Sequence, residues 1–342
     1  MTPLSNQILA RRPLVVLVGP TAVGKSDIAI NIARALDTDV LTADSRQVYR
    51  GMNIATDKPS LAQRHGVPHR LIDLVDPDQP FNTGMYREQA IVEINRLYAE
   101  YRLPFVVGGT GLYVRTLVRG LCDAPQAQPD FRDQLLGEAR LREKGYLHQE
   151  LSRVDPESAQ RLHPNDEVKI MRALEVHHVS GKRLSELQRE HRFSGESFSP
   201  LLLGLNRDRD ALYGRIERRV DTFFTNGLVD ETRTLLAKGY HRALGSMKGL
   251  GYQQVAAYLT GESSYAEAVH KLKRDTRRFA KRQLTWFRKE PGIRWVALDD
   301  QETPESAAKR LLVHINRFLA DLREQSPVLM GNSQHDSETA VG

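Results

Sequence analysis

A single cysteine, Cys122, occurs among the 342 residues. One cysteine excludes an internal disulfide and any cysteine-based zinc site within one chain, and it fits a reducing cytoplasm as the expected location. Long apolar runs are also missing. None approaches the roughly 18–20 residues of a membrane helix, so no membrane partner is expected. The first apolar run, Leu14-Val15-Val16-Leu17-Val18, is too short for the apolar region of a secretory leader and reads instead as the start of a core sheet. No internal repeat is evident. With 40% hydrophobic and 27% charged residues, the composition is that of a globular protein with room for one large domain or two modest ones.

Charge is unevenly spread. The formal net charge is +6, yet between Lys271 and Lys289 nine Lys and Arg residues face one acid, Asp275, a local balance of +8 that leaves the rest near −2. Ala268, Leu272, Phe279, Trp286 and Phe287 fall near one helical face of this stretch. Lys271, Lys273, Arg274, Arg277, Arg278, Lys281 and Arg282 cover much of the remainder. A charge run is ordinarily a solvated helix face, but this one lacks the alternation of sign that such faces show. A nucleic-acid backbone is the natural counterpart, with binding that weakens as salt rises.

The chain is organised around Gly19-Pro20-Thr21-Ala22-Val23-Gly24-Lys25-Ser26, which fits G-x-x-x-x-G-K-S/T in full. An apolar run precedes it and a helical pattern, Ile28-Ala29-Ile30-Asn31-Ile32-Ala33, follows. Strand, glycine-rich turn and helix are the order a phosphate-binding loop requires: the backbone N–H groups point inward and the helix N-terminus adds partial positive charge. Lys25 would reach outer phosphate oxygens, and the Ser26 hydroxyl would hold Mg²⁺. The alternative is a chance match in an ordinary strand-turn-helix.

A second strand, Val40-Leu41-Thr42-Ala43, ends in Asp44-Ser45-Arg46-Gln47-Val48-Tyr49. An acid at the carboxyl end of a parallel strand faces the crevice of the phosphate loop. Asp44 could hold Mg²⁺ or accept a proton from a nucleophile, or it could simply cap the turn that follows. Leu71-Ile72-Asp73-Leu74-Val75 is a short strand candidate, and a helix is expected from about Thr83 to Tyr101. The strand Pro104-Phe105-Val106-Val107 closes in Gly108-Gly109-Thr110-Gly111, where a motor-type ATPase would carry an acid for Mg²⁺. Glycines and a threonine there suit close approach of backbone and hydroxyl to a ligand, although such a sequence is often just a tight loop. Arg207, Arg209, Arg215, Arg218 and Arg219 add positive charge. Arg215 and Arg219 share a helix face, either toward a departing phosphate group or in a salt-bridged surface with Glu217 and Asp221.

Strands alternating with helices predict an α/β fold: a P-loop NTPase-like parallel sheet flanked by helices, with an all-helical insertion domain. The core is expected at 1–122 and 200–322, the helical insertion at 123–199, and a disordered tail at 323–342. Residues 1–12 read as a loose arm, and helices dominate from about Arg209 to Leu322.

These motifs together resemble one family, the tRNA dimethylallyltransferases, over residues 14 to 296. The resemblance rests on the phosphate loop, Asp44-Ser-Arg-Gln-Val-Tyr49, Val67-Pro-His69, Gly108-Gly-Thr-Gly-Leu-Tyr113, Gly251-Tyr-Gln253 and Ala280-Lys-Arg-Gln-Leu-Thr-Trp-Phe-Arg288. It implies transfer of a dimethylallyl group from dimethylallyl diphosphate to the exocyclic amine of the adenine just 3′ of the anticodon, in tRNAs reading codons that begin with U. Asp44 would take the amine proton, while Lys25, Thr110, Mg²⁺ on Ser26, and Arg219 with Arg215 would assist the departing diphosphate.

The tRNA contacts implied are Asp44, Ser45, Arg46, Gln47, Thr110, Arg132, Val168-Lys169-Ile170-Met171-Arg172, Lys248-Gly249-Leu250-Gly251-Tyr252-Gln253, Arg277, Arg278, Lys281 and Arg282, gripping the anticodon stem-loop. Asn53, Ala55 and Asp57 depart from the family's usual Gly-Met-Asp-Ile-Gly-Thr-Ala-Lys-Pro, and Arg70 stands where a second histidine is common. No zinc-finger extension follows, which points to a bacterial-type enzyme, with a monomer as the default state. Outside the family, a small-molecule or nucleotide kinase and a noncatalytic RNA-binding switch protein are the competing readings.

Overall fold

Three short, almost wholly apolar segments dictate the centre of the molecule: β1 (Pro13–Val18), β2 (Val40–Ala43) and β4 (Phe105–Gly108) are buried along their whole length. Strands without a polar face must be covered on both sides, which is the condition of a parallel sheet flanked by helices. With β3 (His69–Arg70), β5 (Ser199–Arg207) and β6 (Ile293–Leu298) they form one six-stranded, all-parallel sheet in the order β3-β2-β4-β1-β5-β6. The computed structural model describes residues 4–121, 124–125, 127–190 and 198–324. Cys122 and the expected tail from 325 onward lie outside the described residues.

The chain divides into two compact units, Met1–Gly111 with Phe198–Gly342, and Leu112–Ser197. In the first, the helices are α1 (Asn6–Leu9), α2 (Lys25–Leu36) and α3 (Thr83–Ala99), then α10 (Arg209–Thr225), α11 (Leu228–Ala237), α12 (Tyr252–Leu259), α13 (Tyr265–Arg288) and α14 (Pro304–Glu324). Helix α4 (Gly111–Arg119) begins where the division falls. One core joins sheet residues to α2 and α14 through side chains such as Val15, Leu17, Ile28, Ile32, Leu311 and Ile315. In α14 the buried positions Ala307, Leu311, Ile315, Leu319 and Leu322 recur at helical spacing. Each large one contributes about 1.5–3 kcal/mol on burial. A second cluster gathers Val48, Met52, Val220, Phe224, Leu228, Tyr252, Val255 and Leu272 around α10 to α13.

The second unit holds α5 (Pro129–Arg140), α6 (Tyr146–Val154), α7 (Pro156–Arg161), α8 (Glu167–Ser180) and α9 (Leu184–Glu190), with no strand among its described residues. Gly145 and Gly181, both with left-handed backbone, bound α6 and α8, and Pro156 starts α7. Its own small core is Leu147, Leu151, Ala159, Ile170, Ala173 and Leu174. Buried Glu175 is satisfied by Arg132, Arg172 and the Gln128 N–H.

The structure corrects four local expectations. Residues 4–12 are no loose arm: Leu4 and Ile8 are buried in the main core, and Leu4 N–H donates to the Tyr101 carbonyl. The strand expected at Leu71–Val75 is instead His69–Arg70. Leu71 and Asp73 take left-handed φ of 64° and 54°, which breaks extension, and only an isolated bridge joins Tyr49 to Val75. Strand β6 interrupts the helical C-terminal stretch as a sheet edge, its outer residues exposed as edge strands allow. Helix α14 runs through Glu324, past the boundary expected at 322.

Candidate active site

Register brings three sequence motifs to one edge of the sheet. Val18 of β1 and Ala43 of β2 both pair with Gly108 of β4, so the three strands end level. The phosphate loop, Asp44 and Gly109-Thr110 therefore leave adjacent strands at the same height, where ligands of open α/β sheets bind. Gly108 permits the approach, because a Cβ there would lie 2.0 Å from the Ala43 carbonyl oxygen. The three line a cavity of about 380 Å³, in the range of small-molecule sites.

In the phosphate loop, Thr21, Ala22, Gly24, Lys25 and Ser26 face the cavity. Gly24 has φ +107° at the start of α2, a conformation L side chains rarely adopt. Gly19, Pro20 and Val23 do not line it: Val23 is buried in the core, while the Gly19 and Pro20 carbonyls accept from Lys25 Nζ at 2.9 and 2.8 Å. Burial, and then the nearby Arg219 guanidinium, push the Lys25 ammonium down to about 8 against the pull of Asp44 and Asp57.

Asp44 Oδ1 accepts from the N–H of Arg46 (2.8 Å) and of Gln47 (3.3 Å). The turn-capping role is real, then, but it uses one oxygen and lies beside the cavity role rather than replacing it. Thr110 Oγ1 accepts from Ser45 N–H at 2.9 Å, which ties the ends of β2 and β4 together, and its own N–H donates to Ala43.

Arg215 and Arg219 separate cleanly. Arg215 Nε donates to the Ala22 carbonyl at 2.9 Å and braces the loop from behind; it does not line the cavity. Arg219 does line it, with Nη1 2.9 Å from Asp57 Oδ2 and 3.5 Å from Thr21 Oγ1. Glu217 and Asp221 pair with neither; they take Arg277 and Lys273 of α13. Arg207 is buried and bound to the Asp299 carbonyl, and Arg209 lies over the Tyr213 ring.

Of the other positions expected to contact RNA, Ser45, Arg46, Gln47, Lys248, Gly249, Leu250, Tyr252, Gln253 and Arg282 line the same cavity. Gly251 does not: a Cβ would lie 2.3 Å from the Ala55 Cβ, so its role is close packing. Tyr252 is 1% exposed and its hydroxyl donates to Glu231 at 2.6 Å. Arg278 and Lys281 are exposed on α13, whereas Arg277 is committed to Glu217.

In the helical unit the structure removes one expected contact, Ile170, and leaves the others differently exposed. Ile170 is fully buried, Met171 packs on that core, and Arg132 and Arg172 are held by Glu175. Only Val168 and Lys169 remain well exposed, Lys169 beside Asp166.

The residue that motif reading left without a role is Gln283. Its Oε1 accepts from Thr21 N–H at 2.8 Å, and its Nε2 donates to the Gly109 carbonyl at 2.9 Å. One side chain thus bridges the phosphate loop and the glycine-rich loop. A Cβ on Gly109 would come within 2.4 Å of that Nε2, and one on Gly111 within 2.2 Å of the Trp286 ring. The available signal was a glutamine on the buried face of α13, in register with Thr276, Ala280 and Phe287.

Comparison with known proteins agrees with this geometry. The family model described as IPP transferase matches residues 47–290. A tRNA dimethylallyltransferase of Geobacter sulfurreducens is 48% identical over 293 residues, 86% of this chain and 94% of that one. One from Syntrophobacter fumaroxidans is 47% identical over 308 residues, covering 87% and 90%. Among solved structures, a full-length tRNA isopentenylpyrophosphate transferase from Bacillus halodurans superposes with TM-score 0.69 at 36% identity, covering 91% of this chain and 98% of that one. A eukaryotic dimethylallyltransferase acting on tRNA reaches TM-score 0.79 at 26% identity, covering 91% and 80%. With its motifs level at the sheet edge and relatives 47–48% identical over 86–87% of its length, the chain belongs to the IPP transferase family of tRNA dimethylallyltransferases.

Proposed function

We propose that the chain transfers a dimethylallyl group from dimethylallyl diphosphate to the N6 amine of the adenine immediately 3′ of the anticodon, in tRNAs reading codons that begin with U. The observation that carries this reading is the common cavity of the phosphate loop, Asp44 and Thr110. The diphosphate would lie on the loop with Lys25 and Arg219. The isoprenoid would lie against apolar lining such as Val40, Val107, Phe223 and Leu250. The amine nitrogen attacks the allylic carbon, the carbon–oxygen bond to diphosphate breaks, and the amine proton passes to Asp44. An adenine amine is a poor nucleophile, so placement and stabilisation of the leaving group must supply the rate. An unpaired loop lowers the cost of taking the base out of its stack.

Mg²⁺ belongs to the same proposal. No cluster of three His, Cys, Asp or Glu able to hold a metal exists among the described residues. The Ser26 hydroxyl in the cavity is instead the kind of single oxygen ligand that suits an ion carried by phosphate oxygens and water. When bound, Mg²⁺ would neutralise charge on the leaving diphosphate.

The direct test is incorporation of labelled dimethylallyl diphosphate into an anticodon stem-loop, with ATP as a parallel donor. Label on the RNA, lost when the target adenine becomes guanine, is the expected result. ATP consumption on a small acceptor without RNA labelling would hand the loop to a kinase.

Two further results are expected. With Lys25 pushed down to about 8, its charged form prevails below that pH, so donor kcat/KM should hold there and fall above it by up to about tenfold per unit. A flat profile across that range would mean the Lys25 charge is not needed. The second concerns α13, where Arg278 and Lys281 are exposed alongside Arg282 and Arg288. Joint replacement of Arg278 and Lys281 by Ala should raise the tRNA KM and flatten its logarithmic salt dependence by roughly 0.7–0.9 for every phosphate no longer neutralised. An unchanged slope would remove this face from the RNA interface.

A further inference from the structure

Asp57 lines the cavity, and the transfer step proposed above gives its carboxylate no role. It belongs to a turn that holds it firmly. Glu231 accepts from the N–H groups of Asn53 and Ile54, Thr56 Oγ1 donates to Met52, and Gln47 Nε2 donates to the Thr56 and Asp57 carbonyls. Asp57 itself has φ 54° and donates its N–H to the Ile54 carbonyl, which closes the turn. From this turn the carboxylate reaches Arg219 at 2.9 Å, and Arg219 also approaches Thr21 of the phosphate loop.

We propose that Asp57 is a tethered counter-ion for Arg219, which an incoming diphosphate must displace and which retakes the guanidinium as diphosphate leaves. The inference rests on the reading that diphosphate binds the loop. A carboxylate beside the cavity's cationic groups opposes any second anion there. Burial, the largest effect, raises the affinity of Asp57 for a proton; Arg219, the next largest, opposes it and favours the carboxylate, as does Lys25, while Asp27 and Asp44 repel it as they would a second anion. The ion pair is also exchangeable, since the Asp57 side chain keeps 43% of its exposure and Arg219 25%. A fully enclosed pair would exclude the ligand; a partly exposed one tunes its affinity. The consequence is weaker retention of the diphosphate product, with tRNA contacts untouched.

The experiment is calorimetric titration of the full-length protein with inorganic diphosphate in Mg²⁺, for the native chain, Asp57→Asn and Asp57→Ala, and for Asp57→Asn combined with Arg219→Ala. Both single variants should bind about three- to fivefold more tightly, the upper scale of a partly exposed ion pair. That gain should shrink below about twofold once Arg219 is gone, because the two residues act through one contact. The same variants should show stronger inhibition by diphosphate and an unchanged tRNA KM. Equal or weaker binding by Asp57→Asn would overturn the proposal while leaving the diphosphate site in place, and it would mean that the carboxylate helps to orient Arg219 or to hold the metal. Absence of binding in the native chain and in both single variants would reject the diphosphate site itself.

Discussion

Asp44→Asn is expected to retain tRNA affinity and to lose turnover by about two to four orders of magnitude, the usual scale for a general base. The substitution is chosen from the geometry. Asp44 Oδ1 accepts from the N–H groups of Arg46 and Gln47. An asparagine carbonyl oxygen can accept the same two bonds, so the turn after β2 and its cavity-lining residues Ser45, Arg46 and Gln47 stay in place. What the amide cannot do is take a proton from the adenine amine. Asp44→Ala removes both functions, and its additional cost relative to Asn measures the turn, about 0.5–2 kcal/mol by analogy with helix caps. The comparison separates the two roles that sequence left open. If Asp44→Asn turned over at close to the native rate while Asp44→Ala failed, Asp44 would be a turn residue only. Single-turnover kinetics with saturating donor, together with tRNA binding measured separately, give the required distinction between chemistry and affinity.

The site was legible where its information is local. Gly19 to Ser26 declares a phosphate loop because glycine spacing, the lysine and the flanking apolar runs all fall within about twenty residues. Asp44 and Thr110 were legible one step further out, since each follows a strand that a parallel sheet must end at the same edge. Beyond that distance the sequence carries no register.

Glu217 and Asp221 suggested salt bridges within their own helix, and the structure spends them on Arg277 and Lys273, 60 and 52 residues away. The +8 stretch is thereby less free than its count implies. Arg215 and Arg219 share a helical face by spacing, yet a single turn separates a brace behind the loop from a group inside the cavity. Ile170 sat among apparently exposed residues because its helix shows weak amphipathicity on paper, although its side chain is fully buried. Strand β6 is six residues long, pairs on one side only, and lies between two long helices, so its pattern was absorbed into theirs.

Gln283→Ala should lower kcat/KM for both substrates by about ten- to a hundredfold, since small displacements of positioning groups have costs on that scale. The side chain is 8% exposed and both ends of its amide are used. Truncation leaves the Thr21 N–H and the Gly109 carbonyl without this partner, at about 1–3 kcal/mol for each group that stays buried and unsatisfied.

Gln283→Glu sharpens the test. A carboxylate can still accept from Thr21, but when ionised it cannot donate to Gly109, and it adds negative charge beside the phosphate loop. Its donor KM should therefore rise more than that of the Ala variant, while its tRNA KM should change less. A purely structural glutamine would instead lower Tm in both variants and leave the kinetics of the folded fraction native; that outcome would sink the positioning role. The helix behind the bridge gives the result a wider meaning. Lys281 and Arg282 are exposed two residues and one residue before Gln283, on the same rigid element. If the exposed face of α13 meets RNA as proposed, the same helix links it to the phosphate loop and the glycine-rich loop through Gln283, so a displacement would pass between them without any hinge. Loss of the bridge should accordingly weaken whatever dependence donor binding has on bound tRNA.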